Sequence, residues 1–227
     1  KPAAKTLLKA LQAGTQQEIR LRAQMMASVD EGVGRILQTL DEQGELDNTC
    51  IIFFGDNGYF FGEHGLGPER RFAYEEGIRS PFAVRYPPMI PSGSNRSQLV
   101  ICQDIAPTLI ELAGGQPGQH IQGQSMVPVF QSAKAKHRKS FMVEYWAENA
   151  MPWLVGMTYK AIRTQRYKYI HWVNRGQAGE LDELYDLKED PYELKNLCQD
   201  PVFAAQRRKL QKSLRGLVNQ ALGLAAK

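Results

Sequence analysis

Residues Cys50 to Gly65 read CIIFFGDNGYFFGEHG. This stretch opens with an uninterrupted apolar run, continues with Gly-Asp-Asn-Gly and closes with Gly-Glu-His-Gly. A short apolar run bounded by turn residues is typical of a strand whose two faces are both covered, as in a parallel sheet flanked by helices. The stretch therefore predicts a buried strand that ends directly at two oxygen-bearing side chains.

The sequence on either side of this strand alternates between helical and strand-like patterns. Residues 16–43 carry apolar side chains at helical spacing, and Gly44 is well placed to end that helix. Residues 81–86 predict the next strand, and residues 103–113 predict a further helix that stops at a glycine pair. This order predicts an α/β fold with a partial doubly wound, mostly parallel sheet and flanking helices.

The pattern changes after about Lys134, where the basic segment 133–140 (AKAKHRKS) is interpreted as a solvated connector. The segments beyond it that predict an antiparallel meander and a closing helix are residues 141–145, 158–164, 167–172, 183–186 and 201–222. The apolar positions of that helix are Leu210, Leu214, Leu217 and Val218. We therefore predict residues 1–135 as part of an α/β domain and residues 136–227 as a small C-terminal α+β subdomain.

Composition excludes several classes of partner. The chain has 227 residues with 28 basic and 24 acidic side chains, and these charges are interspersed, so a nucleic-acid partner is not expected. It has no apolar run of about 18 residues, so a membrane-spanning helix is not expected either. The first residues lack the apolar stretch of a secretory signal. The three cysteines form no CxxC pair, which argues against a disulfide framework or a zinc ribbon.

Asp56 and Asn57 are the candidate metal ligands. They follow the predicted strand, and ligands of doubly wound sheets collect at the carboxyl ends of strands. A carboxylate and an amide oxygen are hard donors that suit Ca²⁺ or Mg²⁺ better than zinc. Asn-Gly is also a common hairpin turn. From the residues alone, both interpretations stay open.

The loop that follows offers further polar groups. His64 is either a pocket residue or an ordinary loop histidine, and Arg70 and Arg71 are either anion ligands or a solvated basic pair. Glu75, Glu76 and Arg79 lie about one helical turn apart, which favours a structural ion pair over catalysis.

A family resemblance bears on these alternatives. Residues 53–87, FFGDNGYFFGEHGLGPERRFAYEEGIRSPFAVRYP, resemble the C-terminal signature of the type I sulfatases of the alkaline phosphatase-like superfamily. The segments DIAPTLIELAG, IQGQSMVPVF and ELYDLKEDPYELKNL also resemble sulfatase segments, in the same order. The resemblance spans about Gln24 to Leu197. It implies a sulfuric ester hydrolase that uses formylglycine and Ca²⁺, or alternatively Mg²⁺, on a sulfated small molecule or carbohydrate, in a periplasmic or secreted protein.

The resemblance also implies roles for particular residues. Asp56 and Asn57 match the pair that ligates the cation. Arg70 stands four residues before Tyr74, where the family has a lysine that contacts the sulfate. Arginine keeps the charge and can bind an oxyanion, but it cannot act as a titratable amine. His64 matches a pocket-lining position, so Arg70 and His64 are the predicted substrate-binding residues.

The nucleophile of the family is not found in this sequence. Formylglycine is made from the cysteine of a Cys-x-Pro/Ala-x-Arg motif, which none of Cys50, Cys102 and Cys198 matches. We therefore expect the chain alone to be inactive and, as a fragment with uncovered apolar surface, to self-associate. The alternatives are a phosphatase or phosphodiesterase of the same superfamily and a non-catalytic binding module. Three tryptophans are candidates either to stack on a sugar ring or to pack in the core. They are Trp146, Trp153 and Trp172.

Overall fold

The computed structural model describes residues 2–67, 70–148, 157–173 and 181–224, with the backbone alone for residues 2–14. The chain forms two compact units. The first contains residues 1–70 and 79–94, and the second contains residues 71–78 and 95–227. The domain boundary predicted after residue 135 falls inside the second unit.

The first unit begins with a long helix, α1, from Pro2 to Glu42. It starts well before the predicted residue 16 and ends where the sequence predicts. Gly44 adopts φ +70°, and the Glu45 N–H donates to the Leu40 carbonyl at 2.8 Å, so the last turn closes around a glycine in the left-handed region. Among the residues that the structure describes, no helix combines the length and apolar character needed to cross a membrane.

Strand β1 (Ile51–Phe54) pairs with β2 (Phe82–Arg85) in a two-stranded antiparallel sheet. The register joins Ile51 to Arg85 and Phe54 to Phe82. These two strands therefore run antiparallel, whereas the sequence predicts a mostly parallel sheet. Parallel neighbours need a crossover, usually a helix, whereas the described residues between 55 and 81 form only a 3₁₀ turn (Glu63–Gly65) and the four-residue helix α2 (Glu75–Ile78).

The apolar surfaces of the first unit are more exposed than the sequence predicts. Phe53 and Phe54 of β1 remain exposed, although the apolar run predicts that both faces of the strand are covered. The stripe on α1 is present at its predicted spacing, and its exposed members are Ile19, Met26, Val29 and Ile36. Within the described residues, this unit therefore presents apolar side chains to solvent on both its helix and its sheet.

The second unit contains a four-stranded antiparallel sheet of strand order β3-β4-β5-β6. Its strands are β3 (Ser140–Tyr145), β4 (Thr158–Thr164), β5 (Tyr167–Val173) and β6 (Glu183–Asp186). Besides α2, its described helices are α3 (Ile105–Leu112), α4 (Val127–Gln131) and α5 (Ala204–Ala221), with 3₁₀ turns at Cys102–Asp104 and Pro201–Phe203. The predicted meander and closing helix are confirmed.

Each face of this sheet carries its own core, because successive side chains of a strand point to opposite faces. On one face, segment 71–78 packs against Tyr159, Ala161 and Trp172. On the other face, α5 packs Leu210 and Leu214 against residues that include Ile162, Tyr169 and Leu184. The predicted apolar side of the closing helix is therefore the side that the sheet buries.

Buried charges join segments of the second unit that lie far apart in sequence. The Lys168 ammonium is fully buried and lies 2.9 Å from a Glu75 oxygen and 2.8 Å from a Glu193 oxygen. Arg163 also pairs with Glu75, at 3.1 Å, and the Glu75 N–H donates to the Glu193 carboxylate at 2.7 Å. Glu75 thus forms a structural ion pair as predicted, but its partners are Arg163 and Lys168 on the sheet.

The basic segment 133–140 is not simply a solvated connector. The Arg138 side chain is 8% exposed and pairs bidentately with Asp104, whose side chain is fully buried at the start of α3. His137 Nδ1 lies 3.0 Å from the Leu99 carbonyl oxygen. A buried carboxylate needs a charged partner, and local composition does not reveal that this segment supplies one.

Candidate functional site

Asp56 and Asn57 occupy the turn directly after β1, where the sequence places them. The Asn57 N–H donates to Asp56 Oδ1 at 2.9 Å, and Asn57 Nδ2 donates to the Gly58 carbonyl at 2.7 Å. In both hydrogen bonds the donor is a nitrogen of Asn57, so the bonds hold the Asp56 and Asn57 side chains in place without using the Asn57 side-chain oxygen. The oxygen ligands that the turn offers are therefore the Asp56 carboxylate and the Asn57 amide oxygen.

The alternative of a tight Asn-Gly hairpin does not describe this turn. In such a hairpin the partner strand begins directly after the two turn residues. Here β1 pairs with β2, which begins at Phe82, and residues 55–81 form the connection. The Asp56-Asn57 pair thus begins a long loop.

Gly55 permits the backbone to approach closely at this point. A Cβ at this position would lie 3.3 Å from Ser80 Cβ and 3.4 Å from Pro81 Cδ. The Gly55 N–H also donates to the Pro81 carbonyl at 3.1 Å, which continues the pairing of β1 and β2 by one bond. A side chain at position 55 would crowd the strand end that carries Asp56.

His64 lies in the 3₁₀ turn Glu63–Gly65 with φ +56°, an uncommon conformation for a residue other than glycine. Its ring meets the ring of the fully buried Phe60 edge-on, with centroids 6.2 Å apart. The Glu63 carboxylate accepts the Phe61 N–H at 2.5 Å, which tightens the turn. A residue held in the left-handed region inside a loop is consistent with a positioned side chain.

The loop after β1 contacts α1 through side chains that the sequence does not predict to meet. The Tyr59 hydroxyl donates to Glu18 Oε1 at 3.0 Å, and the Arg22 guanidinium lies 3.7 Å from the Tyr59 ring centroid. Burial, followed by the hydrogen bond to Glu18, raises the pKa of Tyr59. No local pattern signals this contact, because 41 residues separate its partners.

Arg70 and Arg71 have different surroundings. Arg70 is exposed at the end of the first unit's loop, the unit that also contains Asp56, Asn57 and His64. Arg71 belongs to the second unit, where its Nε lies 3.2 Å from Glu148 Oε1. The basic pair is therefore divided between two environments. That the Arg70 guanidinium faces Asp56 and Asn57 stays a prediction.

The donor set of this loop fits part of a cation shell. Within the described ranges, no cluster of three or more His, Cys, Asp and Glu side chains converges to hold a metal ion. Ca²⁺ takes about six to eight oxygen ligands. Asp56 and Asn57 supply oxygen ligands of the right chemical type, and most of the shell would have to come from other groups.

The two described tryptophans differ in burial. Trp172 is buried, and its Nε1 donates to Glu183 Oε1 at 2.7 Å, so the core role is confirmed for this residue. Trp146 is 63% exposed. Trp153 lies outside the described residues.

Two family models match the chain. The model described as N-sulphoglucosamine sulphohydrolase, C-terminal, matches residues 62–220. The model described as Sulfatase matches residues 3–115. Together these matches include both compact units.

Curated relatives agree with the family models. An N-acetylglucosamine-6-O-sulfatase of Bacteroides thetaiotaomicron is 37% identical over 207 residues, which cover 88% of this chain and 35% of that protein. An arylsulfatase of Volvox carteri is 34% identical over 227 residues, covering 88% of this chain and 34% of that protein. The chain thus spans about a third of the length of these relatives.

Solved structures show the same fold. A protein solved in complex with its substrate D-glucosamine-2-N,6-O-disulfate is similar with a TM-score of 0.78 and 36% identity, over 86% of this chain and 39% of that chain. The phosphonate monoester hydrolase of Agrobacterium radiobacter follows with a TM-score of 0.71 and 29% identity, over 86% of this chain and 40% of that chain. The fold is therefore the α/β fold of the alkaline phosphatase-like superfamily, and the predicted α/β class is confirmed.

Within this class, the chain belongs to the sulfatase family. Its residues correspond to the C-terminal portion of a sulfatase, as the resemblance of residues 53–87 predicts.

Proposed function

We propose that the chain is the C-terminal portion of a sulfuric ester hydrolase that acts on a sulfated carbohydrate. The observation that carries this proposal is the Asp56-Asn57 pair, which follows β1 in a turn that is not a hairpin and offers two oxygen ligands. Family membership supports the reaction class, and the names of the relatives support the substrate class.

Each candidate residue has a distinct role in this proposal. Asp56 and Asn57 would hold a Ca²⁺ ion, or alternatively Mg²⁺, through their side-chain oxygens. When bound, the cation supplies positive charge to the sulfate oxygens and to the nucleophile. Arg70 donates charge-assisted hydrogen bonds to the sulfate through its planar guanidinium. His64 lines the pocket from its strained turn.

The nucleophile is expected outside this chain. The formylglycine of the family would supply it, and none of Cys50, Cys102 and Cys198 lies in the motif from which formylglycine is made. Asp56, Asn57 and Arg70 therefore bind and orient, and they do not attack. For this reason we propose that the chain alone is inactive.

The proposed substrate class and location follow the relatives. The structure with TM-score 0.78 was solved with a glucosamine disulfate, which favours a sulfated amino sugar as the substrate here. A relative in Drosophila melanogaster, 36% identical over 127 residues, is named an extracellular sulfatase homolog. We propose a periplasmic or secreted location on the same ground.

A phosphonate monoester hydrolase is the second candidate. The Agrobacterium radiobacter enzyme of that name shares the fold at 29% identity. A cation and an arginine stabilise a phosphonate ester as well as a sulfate ester, because both place negative charge on non-bridging oxygens. The two candidates differ in the ester that is turned over.

The test joins this chain to the N-terminal portion of the Bacteroides thetaiotaomicron relative. We expect the joined protein to release sulfate from glucosamine-6-sulfate faster than it hydrolyses a phosphonate monoester, and we expect Asp56→Ala to abolish turnover. The chain alone should show no turnover. Faster phosphonate hydrolysis would favour the second candidate, and full activity of Asp56→Ala in a protein with an unchanged melting temperature would refute the metal assignment.

A further inference from the structure

Trp146 directly follows β3 and is the described tryptophan that remains 63% exposed. Trp side chains are highly buried on average in folded proteins, so a ring that is mostly exposed is uncommon. The neighbouring Tyr145 turns to the opposite face of the sheet, where it stacks on Tyr159 with ring centroids 5.9 Å apart. The exposure of Trp146 therefore does not result from a frayed strand end, because the residue before it is packed.

A row of polar side chains lies across the strands beside this ring. Glu144 of β3 is paired in register with Lys160 of β4, and Lys160 is paired with His171 of β5. Residues paired in this way point to the same face of a sheet. The Lys160 ammonium lies 5.3 Å from the Trp146 ring centroid, so ring and row form one surface.

Each member of the row keeps a group that can bind a ligand. Lys160 Nζ lies 3.6 Å from Glu144 Oε2, a long and partly exposed contact that leaves other ammonium protons and the second carboxylate oxygen. His171 Nδ1 lies 2.9 Å from the buried Asp182, which fixes the ring and leaves Nε2 directed away from Asp182. The row thus combines a cation, an anion and an oriented imidazole at the edge of an exposed aromatic ring.

This combination matches the chemistry of a sugar ring. A pyranose has one apolar face of C–H groups, which packs against an indole, and a rim of hydroxyl groups that donate and accept hydrogen bonds. We propose that Trp146, Glu144, Lys160 and His171 form a binding surface for a pyranose ring of a glycan. Trp146 stacks on the ring, and the polar row bonds to its hydroxyl groups.

The inference deepens the proposed function, because it rests on that function for the choice of an amino-sugar glycan. It does not depend on ester hydrolysis. Binding at this surface needs neither a cation nor a sulfate group, and all four side chains belong to the second unit. A chain without activity can therefore still show the site.

The test uses the chain itself and isothermal titration calorimetry. The probes are a heparin-derived tetrasaccharide and its desulfated, N-acetylated counterpart, each titrated to millimolar concentration. We expect both to bind, and Trp146→Ala to weaken both by about tenfold, as for an aromatic anchor of a binding site. Trp146→Phe should retain part of the affinity, and Lys160→Met should weaken the sulfated probe more.

Tyr192→Ala is the matched control, because Tyr192 is an aromatic residue of the same unit that is 68% exposed and lies outside the row. It should leave both affinities unchanged. Thermal melting of every variant separates lost binding from lost folding. Absence of binding by the wild-type chain, binding of the sulfated probe alone, or equal losses in Trp146→Ala and Tyr192→Ala would each overturn the proposal. None of these results would bear on sulfate release by the joined protein.

Discussion

Arg70 and Arg71 are neighbours in the chain, but they have different surroundings in the structure. Arg70 is exposed, whereas Arg71 pairs with Glu148 at 3.2 Å. If Arg70 contacts the sulfate, Arg70→Ala in the joined protein removes charge-assisted hydrogen bonds to an oxyanion. We expect kcat/KM to fall by about two orders of magnitude, as for a lost oxyanion donor. Steady-state kinetics on glucosamine-6-sulfate measures this.

Two further variants test the same assignment. Arg70→Lys should restore part of kcat/KM, since lysine keeps the charge but not the bidentate geometry. Arg71→Ala is the control, and its effect should appear in stability rather than in kcat/KM, because Arg71 forms a partly exposed ion pair with Glu148. Equal and small effects at both arginines would show that Arg70 is a solvated charge.

The ionisation of Glu75 affects the stability of the second unit. Burial alone would raise its pKa, but the hydrogen bond from Arg163 and the charge of Lys168 outweigh burial and lower the pKa from 4.5 to about 2. Because the folded-state pKa lies below the unfolded one, the ionised carboxylate stabilises the fold above pH 4.5, and this contribution is lost as the pH falls towards about 2. We expect the free energy of unfolding in urea to fall across this window.

Glu75→Gln should make that fall shallower, and Glu111→Gln, at an exposed position of α3, should leave it unchanged. Glu193 does not explain a fall in the free energy of unfolding between pH 4.5 and about pH 2. Burial is the largest cause of its shift and raises its pKa above 4.5, so its contribution is lost as the pH rises above 4.5. An unfolding free energy that is flat from pH 4.5 to pH 2 would contradict the assigned pKa of Glu75.

At the scale of elements, α5 stabilises the sheet through one apolar side. Leu214 is buried in the core that includes Ile162 and Tyr169. Leu214→Ala removes buried methyl groups and leaves a cavity, so we expect the free energy of unfolding to fall by about 2–5 kcal/mol. Leu194→Ala is the matched control, since Leu194 is 78% exposed, and it should change stability by at most about 0.5 kcal/mol. A loss at Leu214 no larger than the loss at Leu194 would contradict this packing.

The elements also show what the sequence can predict. The period of the apolar residues identifies α5 and the four strands of the second unit closely, because that period depends only on neighbours in the chain. The apolar pattern of β1 favours a mostly parallel sheet, whereas β1 pairs antiparallel with β2, because an apolar strand does not reveal the direction of its neighbour. The cluster of Glu75, Lys168 and Glu193 was missed for a related reason, because it joins three segments that are distant in sequence.

In the candidate site as well, the sequence predicts the local features and does not predict the contacts between distant residues. Asp56 and Asn57 were placed correctly after β1, because turn residues at the end of an apolar run are a local signal. The structure adds that their turn is not a hairpin, which depends on the distant partner strand. The contact between Tyr59 and Glu18 joins two elements, and no pattern within either element predicts it.

For the whole molecule, cation binding by the chain alone should be weak. Asp56 and Asn57 supply two side-chain ligands, against the about six to eight oxygens that Ca²⁺ takes. We expect isothermal titration calorimetry of the chain with Ca²⁺ to give a Kd of about 1 mM or weaker, as in low-affinity extracellular sites. Asp56→Ala should remove this binding, and Asp41→Ala, at an exposed position of α1, should not. Submicromolar affinity that disappears in Asp56→Ala would show a complete site within the chain.

The first unit exposes apolar side chains that favour association of the chain in solution. Ile36 is 61% exposed on the stripe of α1. Among the described strands, β1 and β2 pair only with each other, so this sheet has two open edges and exposes Phe53 and Phe54. Exposed apolar patches and open strand edges both favour association with another chain. We therefore expect the sedimentation coefficient of the chain to rise with protein concentration.

Ile36→Glu places a charge on the stripe and should shift the chain towards the monomer, because burying that charge in an interface is costly. Gln38→Glu adds the same charge at an exposed position of α1 outside the stripe, so it should leave association unchanged. A wild-type chain that stays monomeric in sedimentation velocity experiments at every concentration would contradict the prediction. Equal shifts in the two variants would attribute association to net charge, whereas a shift in Ile36→Glu alone would attribute it to the apolar side of α1.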